Sequence, residues 1–314
     1  MIDLVIKALA YSSCIGLGAA SVSLIYITTR TYNFVLASML AWGFYMVFTL
    51  THLYGGTPYY YVPVAALFSG LLGLITYFGV NRRLLKTKAN ETTLMMSTLG
   101  VDLILYGFLN AFSDYLINVH KIPAKYFVLE TKDITIDLGG LQVRAIGLVA
   151  LVILVIGVVT LNTFLTKTKL GIAMRAAIEN PELAGALGIN PEVVYVLAWF
   201  VGGLLAGLSG GLLSLLVVGY TAVGMTIMVI FFAGAIVGGI YSIFGSLLGG
   251  LLVGLGEYVG VYLMSTYIGG WVSAYRPVFP LIIMAITLLT LPEGLISLPW
   301  GKLLKTLKVG GVKK

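Results

Sequence analysis

Residues 193–256 open Val193-Val-Tyr-Val-Leu-Ala-Trp-Phe-Val-Gly-Gly-Leu-Leu-Ala-Gly207 and close Gly249-Gly-Leu-Leu-Val-Gly-Leu-Gly256, with no Asp, Glu, Lys or Arg anywhere between. A membrane-spanning helix needs about 20 apolar residues, so this run alone has room for about three. Further charge-free runs cover Ala8–Thr29, Thr31–Asn81, Ala145–Thr166 and Tyr258–Tyr275. Runs of that length favour a helical bundle over an outer-membrane barrel, whose strands read as alternating segments of about ten residues. Composition agrees. Of 314 residues, 59% are hydrophobic and 10% charged, with a mean hydropathy of +1.03; a soluble domain carries about 25% charged residues. The 39 glycines show no period of three, which excludes collagen, and the apolar content excludes disorder. The single cysteine, Cys14, lies inside the first apolar run, so no disulfide framework is expected. The N-terminal run has no small-residue cleavage site, and Tyr11-Ser-Ser-Cys14 lacks the leucine of a lipoprotein box, so it reads as a first spanning helix.

The apolar runs predict about nine spans, near 8–29, 34–53, 62–80, 92–112, 145–165, 192–217, 224–241, 244–264 and 277–296, within a range of eight to ten. If the loop carrying Arg82, Arg83, Lys86 and Lys88 is cytoplasmic, alternation puts 30–33, 166–191, 242–243 and the basic tail 298–314 on the same side. Only six of the 19 Lys and Arg residues then face outward: Lys7, Lys121, Lys125, Lys132, Arg144 and Arg276. That bias orients the chain with its C-terminus in the cytoplasm. The net charge of +7 suits an anionic inner leaflet and calls for no nucleic acid. The whole chain, 1–314, reads as one transmembrane domain with two long loops. The external one, 113–144, carries alternating β-branched and polar residues around Gly139-Gly140 and predicts a small hairpin.

The cytoplasmic loop 166–191 is the more informative. Asn180 is a good N-cap, Pro181 suits the first helical position, Glu182 favours the positive helix end, and Gly188 stands where a helix closes. These predict a short helix over 181–187, with a second helical segment from Leu170 to Ile178 leading into it. Two turns are unstable alone, so something must hold them through Leu183, Ala184, Leu187 and Ile189. Either the helix lies on the membrane or its own bundle, or it sits in a groove of a separate cytoplasmic protein.

Gly171-x-x-x-Arg175-Ala176-x-x-x-Asn180-Pro181-x-x-Ala184-x-x-x-Gly188-Ile189 resembles the cytoplasmic coupling motif of branched-chain amino acid permeases of ABC importers. Three further stretches resemble the same family, in its order. They are Gly16-Leu-Gly18 with Leu24-Ile-Tyr26, Tyr32-Asn-Phe34, Gly43 and Tyr45; Gly234-x-x-x-Gly238-Gly239 through Gly249-Gly250 to Gly256-Glu257; and Leu291-Pro-Glu-Gly-Leu295. The chain departs from the family at Val35-Leu-Ala37, where Ala-His-Gly is usual, and at Asp102, where a small or hydroxyl residue is usual.

The resemblance implies an all-α polytopic permease subunit of the cytoplasmic membrane, working by alternating access. It implies cytoplasmic ATP-binding subunits that hold the loop from Arg175 to Ile189, a second permease subunit (identical or a paralogue), and an extracytoplasmic solute-binding protein meeting the loop 113–144. ATP would be bound by the partners and no cofactor by this chain. Consistently, no Gly-x-x-x-x-Gly-Lys-(Ser/Thr) phosphate loop occurs, and two isolated histidines with one cysteine make a zinc site improbable.

Two carboxylates fall inside spans, Asp102 and Glu257. A charge at that depth is costly unless neutralised, paired or hydrated. Each is either a polar-path group or a hydrogen-bonded helix contact, and Asp102 is placed near enough to its helix start to reach hydrated depth. Irregular backbone within a membrane is tolerated where it lines a cavity, so Asn33, Phe34, Tyr220 and Thr221, in or beside the two short breaks, are expected near the path of an amino acid. Glycines every four residues, as at Gly203, Gly207 and Gly211, predict close helix packing. The alternatives are a permease for another small solute, such as urea or a sugar, and an ion-coupled secondary transporter using Asp102 and Glu257.

Overall fold

The computed structural model describes residues 2–138 and 141–297; the expected basic tail 298–314 and the Gly139-Gly140 turn lie outside them. Twelve α-helices and one hairpin follow along these residues. The first half contains α1 (Ile2–Thr29), α2 (Val35–Tyr54), α3 (Val62–Thr76), α4 (Arg82–Lys86) and α5 (Glu91–His120). One π-helical turn over Tyr77–Asn81 joins α3 to α4 without a break. The hairpin pairs β1 (Thr135–Leu138) antiparallel to β2 (Leu141–Arg144), with Thr135 opposite Arg144. The second half contains α6 (Ala145–Lys167), α7 (Lys169–Glu179), α8 (Pro181–Ala186), α9 (Pro191–Leu213), α10 (Val223–Gly238), α11 (Ile243–Tyr267) and α12 (Val278–Thr290).

Eight helical stretches among the described residues are long and apolar enough to cross a membrane. The ninth expected span, 224–241, is instead α10, with 16 residues and a length of about 24 Å at 1.5 Å per residue. That is short of a hydrocarbon core of about 30 Å. Its first turn lies within the bundle: a Cβ on Gly224 would meet the Ala37 carbonyl of α2 at 2.1 Å. The chain reaches that depth from the end of α9 through irregular backbone over 214–222.

α1 is the central element. Its apolar stretch is almost wholly buried, and it packs on α6, α9, α10 and α11. α5 and α12 lie at the periphery and keep most of their apolar surface outside the bundle, as expected where lipid is the solvent. The close packing has a direct cause at the α10–α11 turn. A Cβ on Gly238 would lie 1.9 Å from the Gly245 carbonyl, and one on Gly249 would lie 2.2 Å from the Gly234 carbonyl. Only glycine permits these backbones to touch.

Polar side chains divide between two ends. At one end, Arg82 pairs with Glu192, Arg30 lies over the Tyr241 ring at 5.3 Å, and the Gly239 turn abuts Glu293 and Ile296. This basic end gathers the connections read above as lying on one side: 30–33, the loop carrying Arg82, Arg83, Lys86 and Lys88, 166–191 and 242–243. At the far end, Lys7 meets Glu130 at 3.2 Å and Tyr59 donates to Asp133. Phe127 of the 121–134 segment bridges to Gly219 through paired backbone hydrogen bonds of 3.1 and 2.8 Å.

Candidate functional site

Three places hold the residues singled out in the sequence. The first is the loop at the basic end. Thr168 caps α7 by accepting from the Gly171 N–H at 3.0 Å. Gly171 is required there, because a Cβ would lie 2.0 Å from the Phe164 carbonyl at the sharp corner between α6 and α7. Asn180 caps α8, its Oδ1 accepting from the Leu183 N–H at 3.0 Å. Gly188 closes the helix at φ +82°, and the Ile189 N–H returns to the Ala184 carbonyl at 3.0 Å. Two glycine- and asparagine-built ends therefore hold a six-residue helix that would fray alone. It starts at Pro181 and stops at Ala186, one residue short of the expected end. Ala184 is buried against this chain, whereas Leu183 is 58% and Leu187 73% exposed. Arg175 is exposed and, with Glu179 and Tyr241, lines a cavity of about 440 Å³ between α7 and the α10–α11 turn. Ala176 and Ile189 are half-buried, and Asn180 and Gly188 are exposed.

The second place is the start of α2. Here the Val35 N–H donates to Asn33 Oδ1 at 3.0 Å, the Phe34 N–H to Thr98 Oγ1 at 3.2 Å and the Ser38 N–H to Asp102 Oδ1 at 3.0 Å. Ser38 Oγ donates to the same carboxylate oxygen at 2.5 Å. Asp102 is 5% exposed. It is buried rather than hydrated, and it is satisfied because it stands at the positive end of a helix that starts inside the protein. Thr221 and Gly224 share with Asp102 a space of only about 10 Å³. Asn33 is 1% exposed, and the Phe34 ring lies 5.3 Å from that of Phe232.

The third place is a cavity of about 420 Å³ under the far-end connections, bounded by the irregular 216–220 segment, the first turns of α10 and residues 273–277. Glu257 of α11, fully buried, faces it. Arg276 binds Glu257 Oε1 through Nε, and Tyr11 of α1 donates to Oε1 and Oε2 at 3.1 and 3.0 Å. The guanidinium carbon sits 4.6 Å from the centre of the Tyr11 ring. Tyr220 lines this cavity, its hydroxyl 2.7 Å from Thr226 Oγ1. Of the four residues expected near a solute path, the structure therefore puts Tyr220 at the far-end cavity, Asn33 and Phe34 at the start of α2, and Thr221 beside Asp102.

Arg276 and Tyr11 escaped the sequence reading, as did Ser38 and Thr98. A signal for Arg276 was present: Glu257 is the only charge between Glu192 and Arg276, and Arg276 is the only cation between Arg175 and Lys302. A lone acid and a lone base in otherwise charge-free membrane sequence invite pairing, because neither is tolerated unpaired. No group of His, Cys, Asp and Glu able to hold a metal occurs among the described residues.

The family model described as branched-chain amino acid transport system / permease component matches residues 4–289. The chain belongs to that family. A relative from Methanocaldococcus jannaschii, named probable branched-chain amino acid transport permease protein LivH, is 37% identical over 300 residues, covering 96% of this chain and 94% of its own. The high-affinity branched-chain amino acid transport system permease LivH of Escherichia coli K12 is 28% identical over 46% of this permease and 45% of its own length. BraD of Pseudomonas aeruginosa, named as a permease of the same kind of system, is 26% identical over 52% and 51%. No solved structure matches the permease. It is an all-α, multi-pass transport subunit rather than an enzyme, and its family places ATP hydrolysis on separate subunits.

Proposed function

We propose that this permease carries branched-chain amino acids inward across the cytoplasmic membrane, driven by ATP-binding subunits that grip the loop around α8. The observation that carries the proposal is the geometry of that loop. A helix too short to stand alone is capped at both ends, and it holds Leu183 and Leu187 away from its own chain. Exposed leucines on a rigid hook suit a hydrophobic groove on a partner, while Arg175 and Asn180 flank it with polar contacts. Its position among the basic connections supports a cytoplasmic setting for this end, which puts the tail 298–314 on the same side in a chain that acts as one permease domain. The far end then meets a solute-binding protein through 113–144, and a second permease chain completes the paired assembly that two ATPase subunits require. The chain itself binds no cofactor. The solute class follows the names of the relatives, above all the full-length one.

The test compares co-purification of the ATP-binding subunits with wild type and Leu183→Asp. The variant is expected to fold and lose the subunits; retention would overturn the coupling role. Vesicles holding this chain alone should accumulate no leucine, and accumulation driven by a proton or sodium gradient would favour the ion-coupled reading. Against that reading, Asp102 accepts from the Ser38 N–H and hydroxyl in a closed space, and the charge of Glu257 is balanced by Arg276.

A further inference from the structure

The far-end cavity holds more than a structural ion pair requires. A buried pair gains little over well-packed apolar residues of the same volume, because desolvation offsets the attraction. Glu257 and Arg276 are nevertheless kept at the wall of a cavity of about 420 Å³, within the range of about 300–1,000 Å³ typical of small-ligand sites. The pair is also incompletely used. Arg276 spends Nε on Glu257, while Nη2 is buried and has no hydrogen-bond partner among the described residues. An unpartnered guanidinium nitrogen of that kind suits a charge-assisted hydrogen bond to a carboxylate oxygen. Glu257 accepts from Tyr11 and Arg276, yet a carboxylate has about four acceptor positions, so it retains capacity for an ammonium group.

Beside Tyr220, Thr226 and Ser273, the wall carries a stretch of aliphatic surface. Val223, Ile227 and Ile230 recur at helical spacing along one face of α10 and line the same cavity. The cavity wall therefore offers a fixed positive and a fixed negative group together with branched aliphatic surface. The pair is neutral overall. A neutral zwitterion placed on it leaves no charge uncompensated, whereas a solute with one net charge would introduce an unpaired charge in a poorly hydrated site.

We propose that Arg276 and Glu257 form a binding site for a free, zwitterionic aliphatic α-amino acid within the permease itself, separate from any site on a solute-binding protein. The carboxylate meets Nη2 of the Arg276 guanidinium, the ammonium meets Glu257, and the side chain lies against Val223, Ile227 and Ile230. Tyr11 is a positioning residue that holds the Glu257 carboxylate in place. The proposal rests on the transport reading above and deepens it, by giving the permease its own selectivity after delivery.

The experiment uses the assembled permease–ATPase complex in lipid nanodiscs and proteoliposomes, with two readouts. Import of leucine with the binding protein present tests the transport reading. Equilibrium binding of tritiated leucine with the binding protein absent tests the site. Wild type is expected to import leucine and to bind it saturably. Glycine, 4-methylpentanoate and 3-methylbutylamine, each lacking the side chain or one charge, should displace it about tenfold or more less well. The paired variant Glu257→Gln/Arg276→Gln leaves no unpaired charge and is expected to bind leucine about tenfold or more weaker, the loss anticipated when charge-assisted contacts become neutral ones. Should that variant fail to assemble, Ile227→Phe keeps the charges, narrows the aliphatic wall, and is expected to weaken leucine binding more than glycine binding. A wild-type complex that imports leucine but shows no saturable binding, or a paired variant that binds as wild type does, overturns the site while leaving the transport reading intact. Equal effects of Ile227→Phe on leucine and glycine also overturn it. A wild-type complex that imports no branched-chain amino acid overturns the transport reading, and the site falls with it.

Discussion

Asp102 and Glu257 are both carboxylates buried in membrane helices, and the protein satisfies them in opposite ways. Asp102 is closed in by backbone: the start of α2 offers it the Ser38 N–H and hydroxyl, and the adjoining space is about 10 Å³. Glu257 is balanced by another charge, Arg276, and by Tyr11, beside a cavity of about 420 Å³. A carboxylate at a helix start does a structural task, and the space beside Asp102 is too small to admit a solute. A carboxylate paired with a charge at a cavity wall keeps unused hydrogen-bonding capacity on both partners. Depth in the membrane does not by itself separate a structural group from a functional one; the number of open positions around it does.

The comparison can be broken at either carboxylate. The largest expected effect is at Glu257: Arg276→Ala leaves a fully buried carboxylate without its counter-charge, at a cost of about 3–5 kcal/mol, read as a lowered thermal midpoint of the purified complex. A loss well under 1 kcal/mol would mean that Glu257 reaches water or another cation. Next comes Asp102→Leu, which strands the Ser38 N–H in a buried helix start and is expected to cost about 1–3 kcal/mol in the same measurement. Asp102→Asn keeps an acceptor for that N–H, so its cost should be about 1 kcal/mol or less, and ATP-driven leucine import should persist. Import abolished in this variant while the complex stays folded would make Asp102 a proton carrier and erase the contrast with Glu257. The smallest stability effect belongs away from both groups. Leu183→Asp, at a 58% exposed position, should change stability by less than about 0.5 kcal/mol and yet release the ATP-binding subunits in co-purification.

Much of the fold was legible because lipid imposes a simple rule. Charge-free runs such as 193–256 have nowhere to go except the membrane, and they marked most of the long helices; α5, which carries Asp102 and Asp114, was marked by apolar content instead. The loop 166–191 was legible for a local reason: Asn180, Pro181 and Gly188 act within a few residues of themselves, so capping needs no knowledge of the rest of the chain. α10 was misjudged in length because apolar composition counts residues and is silent about where irregular backbone begins. The buried surroundings of Asp102 were misjudged as well, since hydration at a given helix position depends on which neighbour covers it. Arg276 was assigned to an outer connection, as its position 19 residues after Glu257 suggests. Only the fold of residues 268–277 back over α11 brings its side chain onto that carboxylate.

The sequence alone determined that this chain is a helical membrane protein, which of its ends is basic and where a capped hook interrupts its spans, since hydropathy, charge and capping are properties of short stretches. Tertiary structure decided what each buried polar group is for. The free energy of a charge in a membrane depends on the few atoms that touch it, and for Asp102 and Glu257 those atoms come from distant parts of the chain.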